Sequence, residues 1–290
     1  MNRLSTFSIV AYDAAVDAWG IAVASKFPAV GAVVPWAQAG AGAVATQSYA
    51  NTTFGPQGLE LISKGRSAQE TLNELLANDE ERELRQVGIV DAQGRSATFT
   101  GAECFEWAGG KTGEHYCVQG NILTGPEVIE QMASTFEGSK KDLPERLLDA
   151  LLAADQAGGD RRGKQSAAIY VVKPEGGYGG FNDRWIDYRV DDHEDPVPRL
   201  MEILGLHCLY FGKSPSEEEL EIDAAVCEAL QQIMQNLGYE IEEITGEYDQ
   251  KTQTALRQFI GNENFEERTD FEKGRIDQPV YEYLLKKFRG

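Results

Sequence analysis

Short runs of alternating or apolar residues open the chain and predict β structure. Phe7–Asp13 and Trp19–Lys26 are two such runs, and the few small and acidic residues between them suit a hairpin. Ala29–Pro35 and Gly42–Gln47 continue the pattern, and the glycines of Ala39–Gly42 favour a turn between them. The opening part of the chain is therefore predicted to be rich in strands.

The apolar spacing then changes to the helical period. Gly58–Ile62 has apolar residues one turn apart, and Ser67-Ala-Gln-Glu70 is a capping box that opens a helix through Leu76. Later elements are predicted as strands at Gln86–Asp91, Ser96–Thr100, Tyr116–Ile122, Ser166–Val172 and Trp185–Val190, and as helices at Pro126–Phe136 and Leu143–Ala154. This order is typical of an α+β fold with helices on both outer faces of two stacked sheets, a four-layer αββα sandwich.

A second pattern begins where Gly-Lys-Ser-Pro-Ser gives way to an acidic run. Five apolar residues at helical spacing follow: Ile222, Val226, Leu230, Ile233 and Leu237. Gly238 ends this helix, and two more helices are centred on Ala255–Phe259 and Val280–Leu284. We therefore expect one domain at 1–212 and a small all-α three-helix bundle at 213–290.

Composition and charge narrow the classes of function. The net charge is −20, from 27 basic and 47 acidic residues, and such a field disfavours nucleic-acid and membrane partners. No apolar stretch is long enough to cross a bilayer, and the opening residues do not have the apolar core of a signal peptide, so we expect a cytoplasmic protein. The four cysteines and three histidines show no ligand spacing, so we expect no metal site and no cofactor.

The first strand carries the leading candidates for chemistry. Thr6 begins this strand, Ser8 points to the same face, and Ser25-Lys26 ends the next strand. A threonine hydroxyl becomes a nucleophile when a base takes its proton, and the α-amine of an N-terminal threonine, with a pKa of about 8, can be that base. Ser25 and Lys26 would then orient the hydroxyl and lower the pKa of the amine. Because serine and threonine are common in strands, the residues alone also fit a plain structural role.

Two pairs of polar residues are candidates for holding an amide substrate. Gly120 and Asn121 come after an apolar run, where a backbone N–H and a side-chain amide can stabilise an oxyanion. The alternative is a plain turn. Gln47 and Asn51 also follow a strand, and their amides can orient an amide substrate.

Adjacent arginines precede the strand at Ser166–Val172. A guanidinium of Arg161 or Arg162 can bind a substrate carboxylate through two parallel hydrogen bonds. The alternative for each arginine is an ion pair with Asp160 or Asp155.

Several segments together resemble a known family. They are Thr6–Asp13, Trp19–Phe27, Ala29–Trp36, Arg85–Asp91, Val118–Leu123, Gly158–Ser166 and Asp187–His193. In this order they are similar to the bacterial DUF1028 family, a group of unassigned substrate that is related to the N-terminal nucleophile (Ntn) hydrolases. The opening strand and hairpin also resemble the asparaginase and glycosylasparaginase branch of those hydrolases. The resemblance implies an amidohydrolase that cleaves a linear amide or peptide-like bond, with Thr6 as nucleophile and an acyl-enzyme intermediate.

One departure from the family pattern concerns the start of the chain. In the family the threonine often follows the initiator methionine directly, whereas here Met1-Asn-Arg-Leu-Ser5 precede Thr6. Either a cut after Ser5 exposes Thr6, or the true translation start lies closer to Thr6, or the free-amine mechanism does not operate. Ser8, on the same strand face, is the alternative nucleophile or a hydrogen-bonding neighbour of Thr6. The alternative function is that of a catalytically silent scaffold or binding protein.

The C-terminal segment has a resemblance of its own. Leu237–Tyr239, Gly246–Asp249, Thr252 and Ala255–Phe259 are similar to the peptidoglycan-binding-like three-helix module, over about residues 218–288. The resemblance implies binding of peptidoglycan fragments, and a peptide or protein partner is an equal alternative. The oligomeric state is open, and a homo-oligomer is compatible with the sequence.

Overall fold

The computed structural model describes residues 6–212 and 219–288. The chain divides into two compact units, Met1–Leu204 and Gly205–Gly290. The division lies N-terminal to the boundary after residue 212 that the sequence predicts. The predicted linker and the predicted cut after Ser5 lie outside the described residues.

The first unit alternates strands with pairs of helices. Its elements are β1 (Thr6–Asp13), β2 (Ala18–Ser25), β3 (Pro35–Gln38), β4 (Gly42–Ser48), α1 (Phe54–Ser63), α2 (Ala68–Ala77), β5 (Arg85–Val90), β6 (Ser96–Thr100), β7 (Gly109–Gly113), β8 (Tyr116–Asn121), α3 (Glu127–Gly138), α4 (Leu143–Gln156), β9 (Ser166–Val172), β10 (Arg184–Val190) and the beginning of α5 (Pro196–Phe211), which continues past Leu204 into the second unit. One antiparallel sheet has the order β10-β9-β2-β1-β8-β7, and the other has the order β3-β4-β5-β6. The predicted α+β fold class is confirmed.

The buried apolar side chains of this unit form three clusters, which lie between its layers of helices and strands. Residues of α3 and α4 pack on one face of the six-stranded sheet, and residues of α1 and α2 pack on one face of the four-stranded sheet. The third cluster lies between the two sheets and joins side chains such as Trp19 of β2 to Val90 of β5. Strand β1 contributes to two of these clusters because successive side chains of a strand point to opposite faces of the sheet. Phe7 and Ile9 face the helices, whereas Val10 faces the other sheet.

Local sequence signals explain where several elements begin. Ser67 and Glu70 form the predicted capping box, since the Ser67 hydroxyl accepts from the Glu70 N–H and the Glu70 carboxylate accepts from the Ser67 N–H. The predicted strand at Ala29–Pro35 is wrong. Ala29 has φ 52°, which is incompatible with an extended strand, and Val30–Ala32 forms a 3-10 turn before β3 begins at Pro35.

The second unit contains the three predicted helices and a small sheet. Its elements are β11 (Glu219–Glu221), α6 (Ala224–Asn236), α7 (Gln250–Asn262), β12 (Thr269–Asp270), β13 (Arg275–Asp277) and α8 (Gln278–Phe288). The sheet has the order β11-β13-β12, so the unit is not all-α as predicted. Strands of two or three residues are too short to show an alternating pattern in the sequence. The core is built from buried side chains that include Leu230, Leu256 and Phe265.

Candidate functional site

The space between the two sheets of the first unit is apolar at one end and polar at the other. The apolar end holds Val10, Trp19, Ile21, Val90 and Cys117. The polar end holds six side chains that are at most 1% exposed: Thr6, Ser8, Gln47, Gln86, Gln119 and Asn121. Buried polar side chains require hydrogen-bond partners, because an unpaired buried group is costly. A concentration of them between two sheets marks this end as a candidate functional site.

Thr6 lies at the edge of this polar end. It is the first residue of β1 and pairs with Ser25 on β2 and with Asn121 on β8. The Thr6 hydroxyl donates to the Ser25 hydroxyl over 3.4 Å. Three residues that the sequence nominated separately are therefore adjacent, because β1 lies between β2 and β8 in the sheet.

Ser8 is held by two glutamines. Its hydroxyl donates to Gln47 Oε1 over 2.6 Å and accepts from Gln119 Nε2 over 2.7 Å. Gln47 Nε2 in turn donates to Gln86 Oε1 over 2.8 Å and to the Thr6 carbonyl over 3.3 Å. Ser8 is therefore a fixed member of a hydrogen-bonded layer, and Gln47 ties the backbone of Thr6 to the opposite sheet.

Gln86 orients the amide of Asn121. Asn121 Nδ2 donates to Gln86 Oε1 over 2.9 Å, while Gln86 Nε2 donates to the Gly120 carbonyl over 2.8 Å and to Thr100 Oγ1 over 2.9 Å. Gln86 and Gln119 were not nominated from the sequence. Both face the other sheet and adjoin apolar runs, Val87–Val90 of β5 and Tyr116–Val118 of β8, and a polar residue beside such a run was the available signal.

Gln47 and Gly120 lie inside strands rather than after them. Gln47 is the sixth residue of β4, and Gly120 pairs with Phe7 on one side and with Gly109 on the other. The turn alternative for Gly120 is therefore wrong, because the sheet continues through this position. Its role in stabilising an oxyanion stays a prediction.

Asn51 is drawn to a different set of partners. Its amide nitrogen donates to Asp79 over 3.1 Å, and its oxygen accepts from the Thr53 hydroxyl over 2.7 Å at the start of α1. Asp79 also holds the Arg85 guanidinium, with Nε to Oδ2 at 2.8 Å. These bonds place Asn51 in the connection that leads into α1, and not beside Gln47, where it was predicted to orient an amide substrate.

Lys26 and Arg162 are both tied to Asp160. The Lys26 N–H donates to Asp160 Oδ2 over 2.8 Å, and the Arg162 guanidinium binds both carboxylate oxygens of Asp160 at 3.2 and 3.1 Å. The Lys26 ammonium is exposed and donates to the Lys164 carbonyl over 3.1 Å. The ion-pair alternative therefore applies to Arg162. Arg161 is exposed, and its guanidinium has no hydrogen bond or ion pair within the described part of the chain.

The backbone is strained beside the polar end. Ser48, which follows Gln47, has φ 67°, and Ile122, which follows Asn121, has φ 52°. A left-handed backbone is a genuine outlier for a β-branched residue such as isoleucine. Strain of this kind costs of order 1–3 kcal/mol and collects at functional sites.

The nearby thiols are poor competitors as nucleophiles. Burial raises the pKa of the Cys104 thiol, and burial raises that of Cys117 to about 12. Both thiols therefore stay protonated at neutral pH, and a protonated thiol is not the reactive form. In residues 6–212 and 219–288, no group of three or more His, Cys, Asp or Glu side chains is placed to hold a metal ion.

Comparison with known families concerns both units. A model of the family described as "Family of unknown function (DUF1028)" matches residues 6–200. The protein belongs to the DUF1028 family. A second model, described as "Putative peptidoglycan binding domain", matches residues 210–284 downstream of the DUF1028 domain. The resemblances to the DUF1028 family and to the peptidoglycan-binding module are confirmed.

Two solved structures are similar to the DUF1028 protein. Protein SPO2555 from Silicibacter pomeroyi, a DUF1028 crystal structure, shares 30% identity with a TM-score of 0.64, over 70% of this chain and 89% of that chain. Anbu (ancestral beta-subunit) from Yersinia bercovieri matches with 12% identity and a TM-score of 0.31, over 72% of this chain and 98% of that chain. No curated protein matches the chain.

Neither of these comparisons names a reaction. In the part of the chain that the structure describes, no helix is long and apolar enough to cross a membrane.

Proposed function

We propose that the DUF1028 domain is an amidohydrolase of the N-terminal nucleophile type, with Thr6 as nucleophile. One observation carries the proposal: the Thr6 hydroxyl bonds to the Ser25 hydroxyl, and Asn121 pairs with Thr6 on the neighbouring strand at the polar end of the space between the sheets. The strained backbone beside Asn121 and the start of the family match at residue 6 support the same location. Family membership by itself does not define a reaction, so the proposal rests on these side chains.

The proposed reaction has two steps. The Thr6 hydroxyl oxygen bonds to the amide carbon of the substrate, and the Thr6 α-amine takes the hydroxyl proton and delivers it to the leaving nitrogen as the C–N bond breaks. This step leaves an acyl ester on Thr6. A water molecule then attacks the ester carbon, its proton returns through the amine to the Thr6 oxygen, and a carboxylic acid is released. Asn121 and the backbone at Gly120 are proposed to stabilise the oxyanion of both steps.

The mechanism needs a free α-amine on Thr6. Because Met1–Ser5 precede Thr6 in the sequence, the proposal includes their removal, which frees this amine. Ser25 is proposed to orient the Thr6 hydroxyl through the existing hydrogen bond, and Lys26 to lower the pKa of the amine by its positive charge.

Mass spectrometry combined with a substrate screen tests this function. We expect the active protein to begin at Thr6, and a chain expressed to begin at Thr6 to hydrolyse linear amides in a panel that the Thr6→Ala variant leaves intact. Thr6→Ser should keep part of the activity, because it retains a hydroxyl. Thr254→Ala, at an exposed position on α7, is the matched control and should be fully active. If Thr6→Ala hydrolyses the same amides as fast as the parent, the proposal is wrong.

A second proposed function concerns the second unit. We propose that it binds peptidoglycan fragments, because a cleft of about 340 Å³ lies among Arg257, Phe271 and Arg275, next to the buried ion pair of Arg268 with Asp277. This volume is in the range of small-ligand sites. The guanidinium of Arg257 also stands 4.5 Å from the centre of the Phe271 ring, which gives the cleft an apolar and a charged surface side by side.

Titration with soluble muropeptides tests this second function. Arg257→Ala and Arg275→Ala should weaken binding to the full chain about 10-fold or more, because each removes the charged N–H donors that remain beside a single bond to Glu272 or to Glu219. Lys251→Ala is the matched control, since Lys251 is exposed on the same unit but does not line the cleft. Equal binding by Arg257→Ala and the parent chain would place the fragments elsewhere or exclude them as ligands.

A further inference from the structure

The segment Asp160–Arg162 lies beside the beginning of β1. Asp160 forms a bridge with Leu123, and the Arg161 N–H donates to the Ile122 carbonyl over 3.0 Å, just beyond the end of β8. The same segment holds the end of β2, where Asp160 accepts from the Lys26 N–H over 2.8 Å. Because β1 lies between β2 and β8, a segment joined to both neighbours passes over the beginning of β1, where Thr6 lies.

Some charged side chains in and beside this segment form ion pairs, and others do not. Asp160 is neutralised by the two-point ion pair with Arg162, and the Lys164 ammonium lies between Asp155 and Asp195 at 2.6 and 2.8 Å. The Lys26 ammonium makes no ion pair with any residue that the structure describes, and Arg161 has neither an ion pair nor a side-chain hydrogen bond there. Lys26 and Arg161 follow the ends of β2 and β8 through these backbone contacts, and both strands pair with Thr6. Two positive charges without an ion pair among the described residues therefore belong to this edge of a protein whose net charge is −20.

We infer that the substrate of this site is an amide that also carries a carboxylate a few atoms from the scissile carbonyl, and that Arg161 binds this carboxylate. The inference rests on the proposed amidohydrolase function. A guanidinium offers two parallel N–H donors that match the geometry of a carboxylate, and Arg161 has these donors uncommitted. The adjacent Arg162 is not available to bind the substrate, because its guanidinium already binds the Asp160 carboxylate. Lys26 adds charge at the same edge and attracts the anion without fixing its orientation.

Matched chromogenic amides test the carboxylate. The probes are the mono-p-nitroanilide of glutaric acid and the methyl ester of the same molecule, which has the same chain but no negative charge. We expect the chain that begins at Thr6 to prefer the free acid about 10- to 100-fold in kcat/KM, the range for hydrogen bonds to a charged group. Arg161→Ala should remove this preference by raising KM for the acid, with little change for the ester. Arg161→Lys should restore part of it.

The control variant is Arg66→Ala, an exposed arginine of the same unit whose contact with Glu74 is 3.9 Å long. It should keep the full preference for the free acid. A parent protein that hydrolyses acid and ester with equal kcat/KM, or an Arg161→Ala variant with an unchanged preference, overturns the inference while the amidohydrolase function stands.

Equilibrium binding separates failure of the inference from failure of the function. The glutaric acid mono-p-nitroanilide is titrated into the Thr6→Ala chain, with and without Arg161→Ala, so that no turnover is needed. Binding that weakens about 10-fold or more without Arg161 supports the inference even if no amide is hydrolysed. Absence of binding to Thr6→Ala at millimolar probe overturns the inference, whatever the parent hydrolyses.

Discussion

At the scale of single residues, the polar end of the sheet interface is defined by how completely its amides are paired. Each of Gln47, Gln86 and Gln119 uses both its oxygen and its nitrogen in hydrogen bonds. Among the described residues, the buried side-chain atoms without a partner are Thr71 Oγ1, Arg146 Nε and Thr269 Oγ1, and none belongs to this layer. A fully paired polar layer is rigid, because every displacement breaks a bond in a medium of low dielectric constant.

Gln86 should therefore be costly to replace with an apolar residue. Gln86→Leu removes the acceptor for both Gln47 and Asn121, and each buried amide left unpaired costs about 1–3 kcal/mol. We expect the free energy of unfolding to fall by about 2–5 kcal/mol in urea titrations. Gln69→Leu, on the exposed face of α2, is the matched control and should change it by less than about 0.5 kcal/mol. Similar losses in the two variants would show that the layer contributes no particular stability.

We expect the ion pair of Asp79 with Arg85 to account for a large part of the stability that the protein loses at acid pH. Hydrogen bonds from Arg85 hold the pKa of Asp79 below its usual range, against the opposing effect of burial. A lowered folded-state pKa gives stability that is present above the unfolded-state pKa of about 3.9 and is lost as the pH falls through the folded-state value. Asp79→Asn should thus lower the unfolding free energy at pH 7 by about 3 kcal/mol and flatten its decline below about pH 4.

Glu114→Gln provides the comparison for that titration. The Glu114 side chain is 92% exposed, and its contact with His115 is 3.9 Å long. This variant should follow the parent across the whole pH series, because exposed pairs contribute about 0–1 kcal/mol. If Asp79→Asn also follows the parent, acid unfolding is controlled by other carboxylates.

At the scale of elements, β5 and β8 approach each other across the sheet interface at Gly88. A Cβ atom at Gly88 would stand 2.2 Å from Gln119 Oε1, so the missing side chain makes room for the glutamine. Gly88→Ala should destabilise the protein by about 1–3 kcal/mol through overpacking. Gly138→Ala, at the end of α3 with nothing within 4 Å of the new Cβ, should instead be neutral or stabilise by up to about 1 kcal/mol. Thermal unfolding of both variants measures the contrast, and equal shifts would contradict it.

Elements that depend on local signals were predictable from the sequence. The capping box at Ser67 and Glu70 is confirmed, and β1 and β2 lie within one residue of the predicted strands, because caps and apolar alternation are carried by neighbouring residues. The small sheet of the second unit was not predicted, since its strands are too short to show a period. The 3-10 turn at Val30–Ala32 is as apolar as the strand predicted there, so pattern alone did not distinguish the two.

The composition of the candidate site was predictable only in part. Thr6, Ser25 and Asn121 were nominated from separate segments, and their adjacency follows from strand pairing that no local signal specifies. The bond between Gln47 and Gln86 joins strands 39 residues apart, and the one between Gln119 and Ser8 spans 111 residues. Such partners are set by sheet register, so the sequence could not predict them. The ion pair of Arg162 with Asp160 is local, but the sequence did not show which of the two adjacent arginines forms it and which, Arg161, makes no ion pair among the described residues.

At the scale of the whole molecule, two separate sets of buried side chains stabilise the two units. The first unit has clusters around Met132 and Phe136 on α3, and the second has one that includes Phe259 and Phe265. A unit with its own apolar core is expected to unfold as its own cooperative transition. The catalytic proposal involves the first unit alone, and the peptidoglycan proposal involves the second alone, so the two functions are separable by experiment.

Core truncations in each unit should therefore affect that unit alone. Phe265 is 0% exposed and stacks on Tyr210 at 4.8 Å, so Phe265→Ala should cost about 3–5 kcal/mol in the second unit. Hydrogen exchange followed by mass spectrometry should show faster exchange in α6, α7 and α8, with protection of β1 and β8 unchanged. Phe136→Ala is the reciprocal variant, since Phe136 is 2% exposed on α3, and it should accelerate exchange in the first unit only. Simultaneous loss of protection in both units from either variant would mean that they unfold as one, and separate tests of the two proposed functions would then require shortened chains.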